Sequence, residues 1–273
     1  MERTRPILID FANVFYRAYY VAPNLSYNNK QTGTTFLFQK MIRRVSKYDA
    51  LTNSSDFKLI FVFEGGRPTR KDIDSNYKAN RVQIEDESFS QQWIDVVQML
   101  KVGNMPIWQV EGYEADDLIA SYATENDCYI FTNDKDLEGA IREGVSIIRY
   151  GKNGRIIDID LAWFIDQYGF KPKHFPIYKA LVGDKSDNIK GLKGWGTKST
   201  SKAIIDYDGD LELMKKNGYG KIFNVLRNEW DQMLVNIELA TLRTNAEVSV
   251  QPEYPDWQTI DTYLQTLGFS VIS

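Results

Sequence analysis

Residues 106–117 read PIWQVEGYEADD, in which a short β-rich stretch runs into three carboxylates and the start of an amphipathic helical segment. The same order of strand, acid and helix recurs through the first half of the chain. This alternation predicts an α/β fold with a mostly parallel central sheet flanked by helices. The predicted strands are 7–11, 58–63, 106–110, 128–132 and 145–149.

Helical periodicity fills the intervals between these strands and then takes over the second half of the chain. The predicted helices of the first half are 13–20, 34–48, 88–101 and 115–125. After about residue 160 the strand signals fade, and the predicted helices are 161–168, 175–182, 197–207 and 234–242. We therefore divide the chain into an α/β lobe, 1–160, and a helical lobe, 161–273.

The composition restricts the chemistry that the chain can perform. With 273 residues and 43% hydrophobic content, the chain is long enough to bury a sizeable core. It has no apolar run of the roughly 20 residues that a membrane span requires, and no cleavable signal at its N-terminus. A single cysteine, Cys128, and a single histidine, His174, exclude disulfide frameworks and the common zinc sites. We expect a soluble, cytoplasmic protein whose chemistry depends on carboxylates.

Acidic residues follow each of the first four predicted strands. In an open parallel sheet the functional crevice lies beyond the carboxyl ends of the strands, so these side chains converge on one edge. Acids also favour loops and helix N-termini for structural reasons, which is enough to explain any one of them. Their presence at all four strand ends favours a site instead. The seven acids are Asp10, Glu64, Glu114, Asp116, Asp117, Asp134 and Asp136.

A cluster of seven carboxylates requires a cation. Two ionised carboxylates about 4 Å apart repel by roughly 4 kcal/mol at an effective dielectric constant of about 20. Oxygen ligands without His or Cys select hard ions, so Mg²⁺ or Mn²⁺ is expected and zinc is not. Magnesium sites of this kind keep positions open for water and phosphate oxygens. The cluster therefore indicates phosphoryl chemistry.

A further acidic pair, Asp184 and Asp187, lies in the segment LVGDKSDNIKG of the helical lobe. Considered alone, the pair is explained by a helix end followed by an Asx-type turn. The net charge of −4 also looks unfavourable for binding phosphates. If nine of the 37 acids form a metal site, however, the 33 Lys and Arg residues exceed the remaining 28 acids, and the rest of the molecule is basic.

Several motifs resemble, in order and spacing, those of the 5′ nuclease/flap endonuclease family, which includes phage 5′-3′ exonucleases, phage ribonuclease H and the 5′ nuclease domain of bacterial DNA polymerase I. They are LIDFANVFYRAY, YKANR, GYEADD, TNDKDL, GDKSDNIKGLKGWGTKSTSKAI and LVNIELATLR. The resemblance implies a PIN-like 5′ nuclease fold with a short helical arch at about 76–100. It also implies a helix–hairpin–helix element at about 177–207 in the helical lobe.

The resemblance further implies a two-metal mechanism of phosphodiester hydrolysis. The first metal ion would be held by Asp10, Glu64, Glu114 and Asp116, with Asp117 close by. The second would be held by Asp134, Asp136, Asp184 and Asp187, with Asp116 as a bridge. Both ions are expected to be Mg²⁺, with Mn²⁺ as a substitute, and Asp116 and Asp134 count among the catalytic residues.

Basic and aromatic residues of the first lobe match the DNA-binding positions of the family. In YKANR, Lys78 and Arg81 are three residues apart, so on a helix they would share a face that clamps the scissile phosphate as part of the catalytic machinery. A solvated basic helix face is the alternative explanation. Tyr77 would stack on the terminal base. The other matched positions are Arg17, Arg67, Arg70 and Lys71.

The segment GLKGWGTKSTSKAI matches the family's helix–hairpin–helix element, which grips duplex DNA through a bound K⁺ ion. Its glycines would let backbone amides approach a phosphate, and the N-terminus of the helix that follows favours an anion. The matched residues are Gly191, Gly194, Gly196, Lys198 and Lys202.

Two residues and one segment depart from the family pattern. Glu64 stands where the family usually has Asp, and the extra methylene shifts the expected position of the first metal ion. Phe11 replaces the Gly that usually follows the first aspartate, which argues against close backbone packing there. The segment 82–92 is short and acidic, so we expect a compact arch.

The expected function is that of a structure-specific 5′ nuclease, a flap endonuclease and 5′-3′ exonuclease that hydrolyses DNA near 5′ ends or junctions and removes RNA primers in replication. The expected partners are branched, nicked or 5′-ended double-stranded DNA and RNA–DNA hybrids. We expect the protein to be a monomer that does not associate with a membrane. Two alternatives stay open, a PIN-type ribonuclease and a DNA-junction-binding protein without catalysis. The helix–hairpin–helix motif counts against the first, and the nine intact acids count against the second.

Overall fold

The computed structural model describes residues 5–22, 24–47, 58–66, 70–81, 86–151, 154–250 and 255–270. Within these ranges the chain forms a central sheet with helices on both faces, together with a helical lobe. The predicted site residue Arg67 and the arch residues 82–85 lie outside the described ranges. None of the described helices is both long enough and apolar enough to cross a bilayer.

The strands of the described residues form one sheet of six strands and one small hairpin. The sheet contains β1 (Ile7–Asp10), β4 (Leu59–Val62), β5 (Ile107–Trp108), β6 (Cys128–Phe131), β7 (Val145–Tyr150) and β8 (Ile156–Ile159), and the hairpin pairs β2 (Ser26–Tyr27) with β3 (Lys30–Gln31). The order in the sheet is β5-β4-β1-β6-β7-β8, and only β8 runs antiparallel to its neighbour. The mostly parallel α/β fold and all five predicted strands are confirmed, whereas β8 and the hairpin were not predicted.

Burial on both faces explains why the central strands read as continuous apolar runs. Every residue of β1 is at most 5% exposed, and successive side chains of a strand point to opposite faces. Leu8 accordingly packs into one core cluster, whereas Ile7 and Ile9 pack into the other. The sheet is therefore the middle layer of the α/β lobe.

Helices of the α/β lobe cover both faces of this sheet. They are α1 (Phe11–Val21), α2 (Gly33–Ser46), α3 (Arg70–Ile73), α4 (Glu87–Val102) and α5 (Ala115–Glu125). The side chain of Asp10 caps α1 by accepting the N–H of Asn13 at 3.2 Å, so the last strand residue also starts the helix. Phe11 is fully buried and stacks on Phe63 with 3.9 Å between ring centroids. An aromatic core thus replaces the close backbone packing that a glycine would allow.

The helical lobe follows β8 and carries the second acidic pair. Its helices are α6 (Leu161–Tyr168), α7 (Phe175–Val182), α8 (Thr197–Asp206), α9 (Leu211–Asn217), α10 (Lys221–Asn228) and α11 (Trp230–Ala240). The helices predicted at 161–168, 175–182 and 197–207 are confirmed, and the predicted tail helix corresponds to α11. Helices α9 and α10 were not predicted.

The last described helix, α12 (Trp257–Thr266), returns to the α/β lobe. Its residue Asp261 pairs with Arg43 of α2, whose guanidinium lies 4.8 Å from the ring centroid of Trp257. This helix and its packing were not predicted from the sequence. The division between residues 160 and 161 therefore stays a prediction, and α12 packs on the first lobe although it falls in the second range.

Candidate active site

The predicted convergence of acids at the carboxyl edge of the sheet is present. Strands β4, β1 and β6 are neighbours in the sheet. Asp10 is the last residue of β1, and Glu64 and Asp134 follow the ends of β4 and β6, so the three acids lie side by side along this edge. Helix α5 begins at the same edge and brings Asp116 into contact with the others. One carboxylate oxygen each from Asp116, Asp134 and Asp136 lies within 4.8 Å of the other two.

The carboxylates on the sheet side of this cluster repel one another. Burial, with a contribution from Asp134, raises the pKa of Asp10 to about 7, although Thr132 and the backbone of Asn13 donate hydrogen bonds to it. Burial, followed by the charges of Asp134 and Asp10, raises the pKa of Asp116 well above its ordinary value. These acids sit close together at an energetic cost, which a bound cation would relieve.

The second acidic group joins the two lobes. Oxygens of Asp136, from the α/β lobe, and of Asp184 and Asp187, from the loop after α7, lie within 4.8 Å of one another. Considered alone, the sequence favoured a simple helix end and turn for Asp184 and Asp187. The structure contains that turn, in which the N–H of Ser186 donates to Asp184 at 2.8 Å, and it also brings the pair to Asp136.

A lysine that sequence reasoning missed lies among these three acids. The Nζ of Lys179 is 2.6 Å from Asp136, 3.0 Å from Asp184 and 4.0 Å from Asp187. Burial opposes its charge, but the acids around it raise its pKa, so it stays protonated. Burial likewise opposes ionisation of Asp184, yet Lys179 and Ser186 outweigh burial and lower its pKa to about 2. The available signal was a lone charged residue in the apolar helix FPIYKALV.

Glu114 is the most enclosed acid of the first predicted metal site. Its Oε2 atom contacts the ammonium of Lys78 and lies 3.4 Å from Arg70, whereas its Oε1 atom is buried without a hydrogen-bond partner among the described residues. A buried carboxylate oxygen without a partner is costly. Glu64, by contrast, lies at the exposed rim of the cluster.

Asp117 and Arg70 form a buried ion pair that was not predicted. Arg70 donates to both oxygens of Asp117, at 3.0 and 2.6 Å, and the N–H of Arg243 donates to one of them at 2.9 Å. Both side chains of this ion pair are nearly inaccessible to solvent. In this structure the two residues neutralise each other and tie α3 to α5, and metal binding by Asp117 and DNA binding by Arg70 stay predictions.

The YKANR segment is a turn and not the start of a helix. Lys78 adopts a left-handed backbone conformation with φ of +53°, and its N–H donates to the carbonyl oxygen of Asp187 at 3.0 Å. Tyr77 is only 2% exposed, and its hydroxyl lies 3.4 Å from Glu114 and 3.3 Å from Asp187. The ring of Tyr77 is enclosed in this conformation, and its expected stacking on a base stays a prediction.

Lys78 and Arg81 nevertheless both face the acids. The ammonium of Lys78 reaches Glu114, and Arg81 donates to Asp187 at 3.0 Å while half of its side chain stays exposed. Burial opposes both charges, but Glu114 and Asp187 respectively raise the two pKa values. The turn thus brings Lys78 to an acid of the first predicted metal site and Arg81 to an acid of the second. It does so without placing the two side chains on a shared helix face.

Arg17 lines a basic cavity and makes no ion pair with the acids. The cavity has a volume of about 570 Å³, and its lining includes Arg17, Lys40, Arg44, Lys47 and the ring of Tyr150. These four cations have no carboxylate partner among the described residues. The N–H of Asn133 donates to the side chain of Asn13, one helical turn before Arg17, so the cavity adjoins the loop that carries Asp134.

The predicted helix–hairpin–helix corresponds to α7, a Gly-rich turn and α8. A Cβ atom on Gly191 would lie 2.3 Å from the backbone of Val182, so this glycine serves packing and not access by DNA. Gly196 is open and precedes the first turn of α8, and Lys198 is exposed beside it. Gly194 has φ of +89°, and Lys202 is exposed but pairs with Asp206 at 2.8 Å. Lys71 is exposed on α3.

Two family profiles match consecutive parts of the chain. The family described as 5′-3′ exonuclease, N-terminal resolvase-like domain, matches residues 5–169. The family described as 5′-3′ exonuclease, C-terminal SAM fold, matches residues 170–263. Together they cover the sheet, both acidic groups and the helical lobe.

Several bacterial DNA polymerases are similar in sequence. DNA polymerase I of Borreliella burgdorferi is 32% identical over 254 residues, which cover 88% of this chain and 27% of the polymerase. DNA polymerase I of Caldicellulosiruptor bescii is 31% identical over 260 residues, which cover 90% of this chain and 30% of the polymerase. The chain therefore spans less than a third of the length of these relatives.

Solved structures of low sequence identity share the fold. The flap endonuclease of bacteriophage T5, in a pseudo-enzyme-product complex with DNA and metal ions, superimposes with a TM-score of 0.70 at 20% identity, covering 96% of this chain and 97% of that chain. Human GEN1 in complex with Holliday junction DNA superimposes with a TM-score of 0.65 at 16% identity, covering 97% of this chain and 68% of that chain. The folds, the family profiles and the two acidic groups agree: this chain belongs to the 5′-3′ exonuclease family.

Proposed function

We propose that the chain is a divalent-metal-dependent 5′ nuclease that hydrolyses DNA phosphodiester bonds near 5′ ends and junctions, as a flap endonuclease and 5′-3′ exonuclease. The observation that carries the proposal is the pair of adjoining acidic groups, which share Asp136 and draw ligands from both lobes. Family membership supports the same reaction.

The residues at this edge fit bound metal ions. All donors are carboxylate oxygens, which suit Mg²⁺ or Mn²⁺. The buried Oε1 atom of Glu114 lacks a partner among the described residues, and the pKa values of Asp10 and Asp116 are raised by burial and mutual repulsion. The proposed ligands are those expected from the sequence with Asp117 removed. They are Asp10, Glu64, Glu114 and Asp116 for one ion, and Asp134, Asp136, Asp184 and Asp187 for the other.

Bound divalent ions would supply Lewis acidity toward the scissile phosphate and a more acidic water. The chain's own contribution is to hold the carboxylates in place and to supply cations for the substrate. Lys78 and Arg81 reach the acidic groups from a turn at their edge, and they are positioned to exchange their carboxylate partners for phosphate oxygens. Lys179 neutralises the second group in the absence of metal.

Two surfaces are proposed to hold the DNA on either side of the acids. The first is the N-terminus of α8 with Gly196 and Lys198, where backbone N–H groups and an exposed ammonium face solvent. The second is the basic cavity around Arg17 and Arg44. Helix α8 packs on α7 and belongs to the apolar core on one side of the sheet, whereas α1 belongs to the core on the other side, so the two surfaces are proposed to flank the active edge.

Several finer points belong to the same proposal. The ions are taken to be Mg²⁺. In one of the similar structures, a T5 5′-exonuclease has zinc bound. A K⁺ ion is proposed at the turn before α8. The substrates are taken to be branched, nicked or 5′-ended duplexes and RNA–DNA hybrids, bound by a monomer. The structural neighbours, a flap endonuclease in complex with DNA and GEN1 in complex with Holliday junction DNA, support the branched substrates.

The direct test is incubation of a 5′-labelled flap, a nicked duplex and a single strand with the protein, in Mg²⁺ or in chelator. The proposal predicts cleavage of the flap and of the nicked duplex at their 5′ sides in Mg²⁺ and no cleavage in chelator. Cleavage that persists in chelator would contradict the metal dependence. Equal cleavage of all three substrates would contradict the structure specificity.

A further inference from the structure

A buried carboxylate outside the proposed ligand set lies two residues beyond Asp136. Glu138 belongs to the short 3-10 turn Asp136–Ala140, and its side chain has no exposed surface. Its Oε1 atom accepts a hydrogen bond from Arg149 at 3.0 Å, and its Oε2 atom accepts one from the hydroxyl of Tyr168 at 2.6 Å. Both oxygens are therefore satisfied by residues distant in sequence.

The two partners of Glu138 come from the two lobes. Arg149 lies on β7 of the central sheet, and its guanidinium also lies 5.3 Å from the ring centroid of Trp163 on α6. Tyr168 is the last residue of α6 and packs among the rings of Phe164, Phe170, Phe175 and Tyr178. Glu138 thus connects the turn that carries Asp136 to the sheet and to the helical lobe.

This connection bears on the second acidic group because its members come from both lobes. Asp136 is held by the turn, whereas Asp184 and Asp187 follow α7, which α6 precedes in the chain. Their oxygens must stay within a few ångströms of one another to share an ion, and Mg²⁺ demands near-ideal octahedral geometry. Tyr168 of α6 packs on Phe175 and Tyr178 of α7, so a shift of α6 and α7 relative to the turn would separate the ligands.

A carboxyl side chain is an expensive choice for packing alone. A buried carboxylate is tolerated only when it is paired and hydrogen-bonded, and an apolar residue of similar volume would fill the same space. What an apolar residue would lack is the pair of directional bonds to two different lobes. The chemistry of Glu138 therefore suits alignment of elements.

We propose that Glu138 is a positioning residue for the second metal site, acting through Arg149 and Tyr168 to fix Asp136 relative to Asp184 and Asp187. The inference rests on the proposed function, because it assumes that the second acidic group binds a metal ion. Glu138 itself is not a ligand, since both of its oxygens are occupied and it is fully enclosed.

The test compares four variants, Tyr168→Phe, Glu138→Gln, Glu138→Ala and Tyr19→Phe, by calorimetric titration with Mn²⁺ in the absence of DNA. Tyr168→Phe removes one bond to Glu138 and leaves the ring packing, and Glu138→Gln keeps hydrogen-bonding atoms without the charge. Tyr19→Phe is the matched control, because its hydroxyl also donates to a carboxylate at 2.6 Å, that of Asp86, away from the second acidic group. Thermal unfolding of each variant is measured in parallel.

We expect Tyr168→Phe to weaken Mn²⁺ binding at one of two sites by roughly tenfold, the lower end of the range for residues that support metal ligands. Glu138→Gln should weaken it less than Glu138→Ala, because the amide retains part of the contacts. Tyr19→Phe should bind both ions as the wild type does. In cleavage assays the half-saturating metal concentration should rise for Tyr168→Phe, while kcat at saturating metal recovers.

Two results would overturn the proposal. One is a loss of thermal stability in Tyr168→Phe and Glu138→Ala with wild-type Mn²⁺ affinity, which would make Glu138 a stability residue only. The other is equal weakening by Tyr19→Phe. Failure of the proposed function is a separate outcome, since the wild type would then bind no Mn²⁺ and cleave nothing.

Discussion

At the scale of single residues, Lys179 is a buried lysine that lies within ion-pair distance of all three acids of the second acidic group. The seven acids of the α/β lobe could be anticipated from the strands that they end or follow, and Asp184 and Asp187 from the family resemblance, but a lysine inside an apolar helix does not indicate the three carboxylates that it contacts. Those contacts depend on how α7 packs against the turn of Asp136. In the metal-free protein, Lys179 supplies part of the positive charge that the electrostatic argument requires.

Replacing Lys179 by Met should destabilise the metal-free protein, because the neighbouring carboxylates lose a buried partner. Breaking a buried ion pair in this way typically costs about 3 kcal/mol or more. Denaturant unfolding in chelator measures the loss. Adding Mn²⁺ should stabilise the variant more than the wild type, and equal stability of the two proteins in chelator would show that Lys179 carries no such role.

The raised pKa values of Asp10 and Asp136 predict how stability depends on pH without metal. Burial is the main cause for both, and it raises them to about 7 and about 8 from an ordinary value of 3.8. Between about pH 4 and pH 8 the folded chain thus holds more protons than the unfolded chain, so this contribution to stability falls as pH rises. The low pKa of Asp184 changes stability only between about pH 4 and pH 2, where the stabilisation that its ionised form gives at higher pH is lost.

Thermal unfolding in chelator at pH 5 and at pH 8 checks this expectation. The melting temperature should be lower at pH 8, and the difference should shrink in Asp136→Asn, which removes one of the two groups. With Mn²⁺ present the difference should shrink or reverse, because metal binding requires ionised carboxylates. A melting temperature in chelator that rises from pH 5 to pH 8 would contradict the assignment.

At the scale of elements, the strands and the acids after them were predictable, whereas the cation-bearing segments were not. Helix α5 begins and ends at the predicted residues. Its start was recognisable because GYEADD places acids in its first turn. The YKANR segment was expected to be helical, but a bond from Lys78 to the backbone of Asp187 holds it in a turn. Such a contact joins residues more than 100 positions apart, so local sequence could not reveal it.

The Arg70–Asp117 pair is an element-scale feature, since it ties α3 to α5 and to the segment after α11. Asp117→Asn should leave Arg70 as a buried charge without its full partner and lower the free energy of unfolding by about 3 kcal/mol. The half-saturating metal concentration for cleavage should stay at the wild-type value below the melting temperature. A large rise in that concentration would restore Asp117 to the set of metal ligands.

At the scale of the whole molecule, the sheet edge, the helical lobe and the basic cavity define where a long substrate can lie. The family and the fold of the relatives were predictable from motif order, because spaced acids and a Gly-rich turn are specific signals. The cavity was not, because Arg17 of α1 meets Lys40, Arg44 and Lys47, which share one face of α2, only through packing of α1 on α2. Its cations make the rim basic although the chain carries a net charge of −4.

Replacing Arg44 and Lys47 together by Ala should weaken binding of branched DNA and reduce its dependence on salt. If both side chains neutralise phosphates, the slope of log K against log salt should fall by about 2 in magnitude. The matched control replaces Lys30 and Lys101 by Ala, which removes the same charge from exposed positions outside the cavity. An equal change in both double variants would mean that only net charge matters.

The central claim is that the acids hold metal ions for phosphodiester hydrolysis, and Asp116→Asn tests it most directly. Cleavage and binding of the same 5′-labelled flap are measured side by side in Mg²⁺, with binding followed in chelator as well. We predict that cleavage falls by more than about 100-fold, beyond the loss typical of a residue that only supports a ligand, while junction binding stays within a few-fold of wild type. Undiminished cleavage by Asp116→Asn would contradict the account.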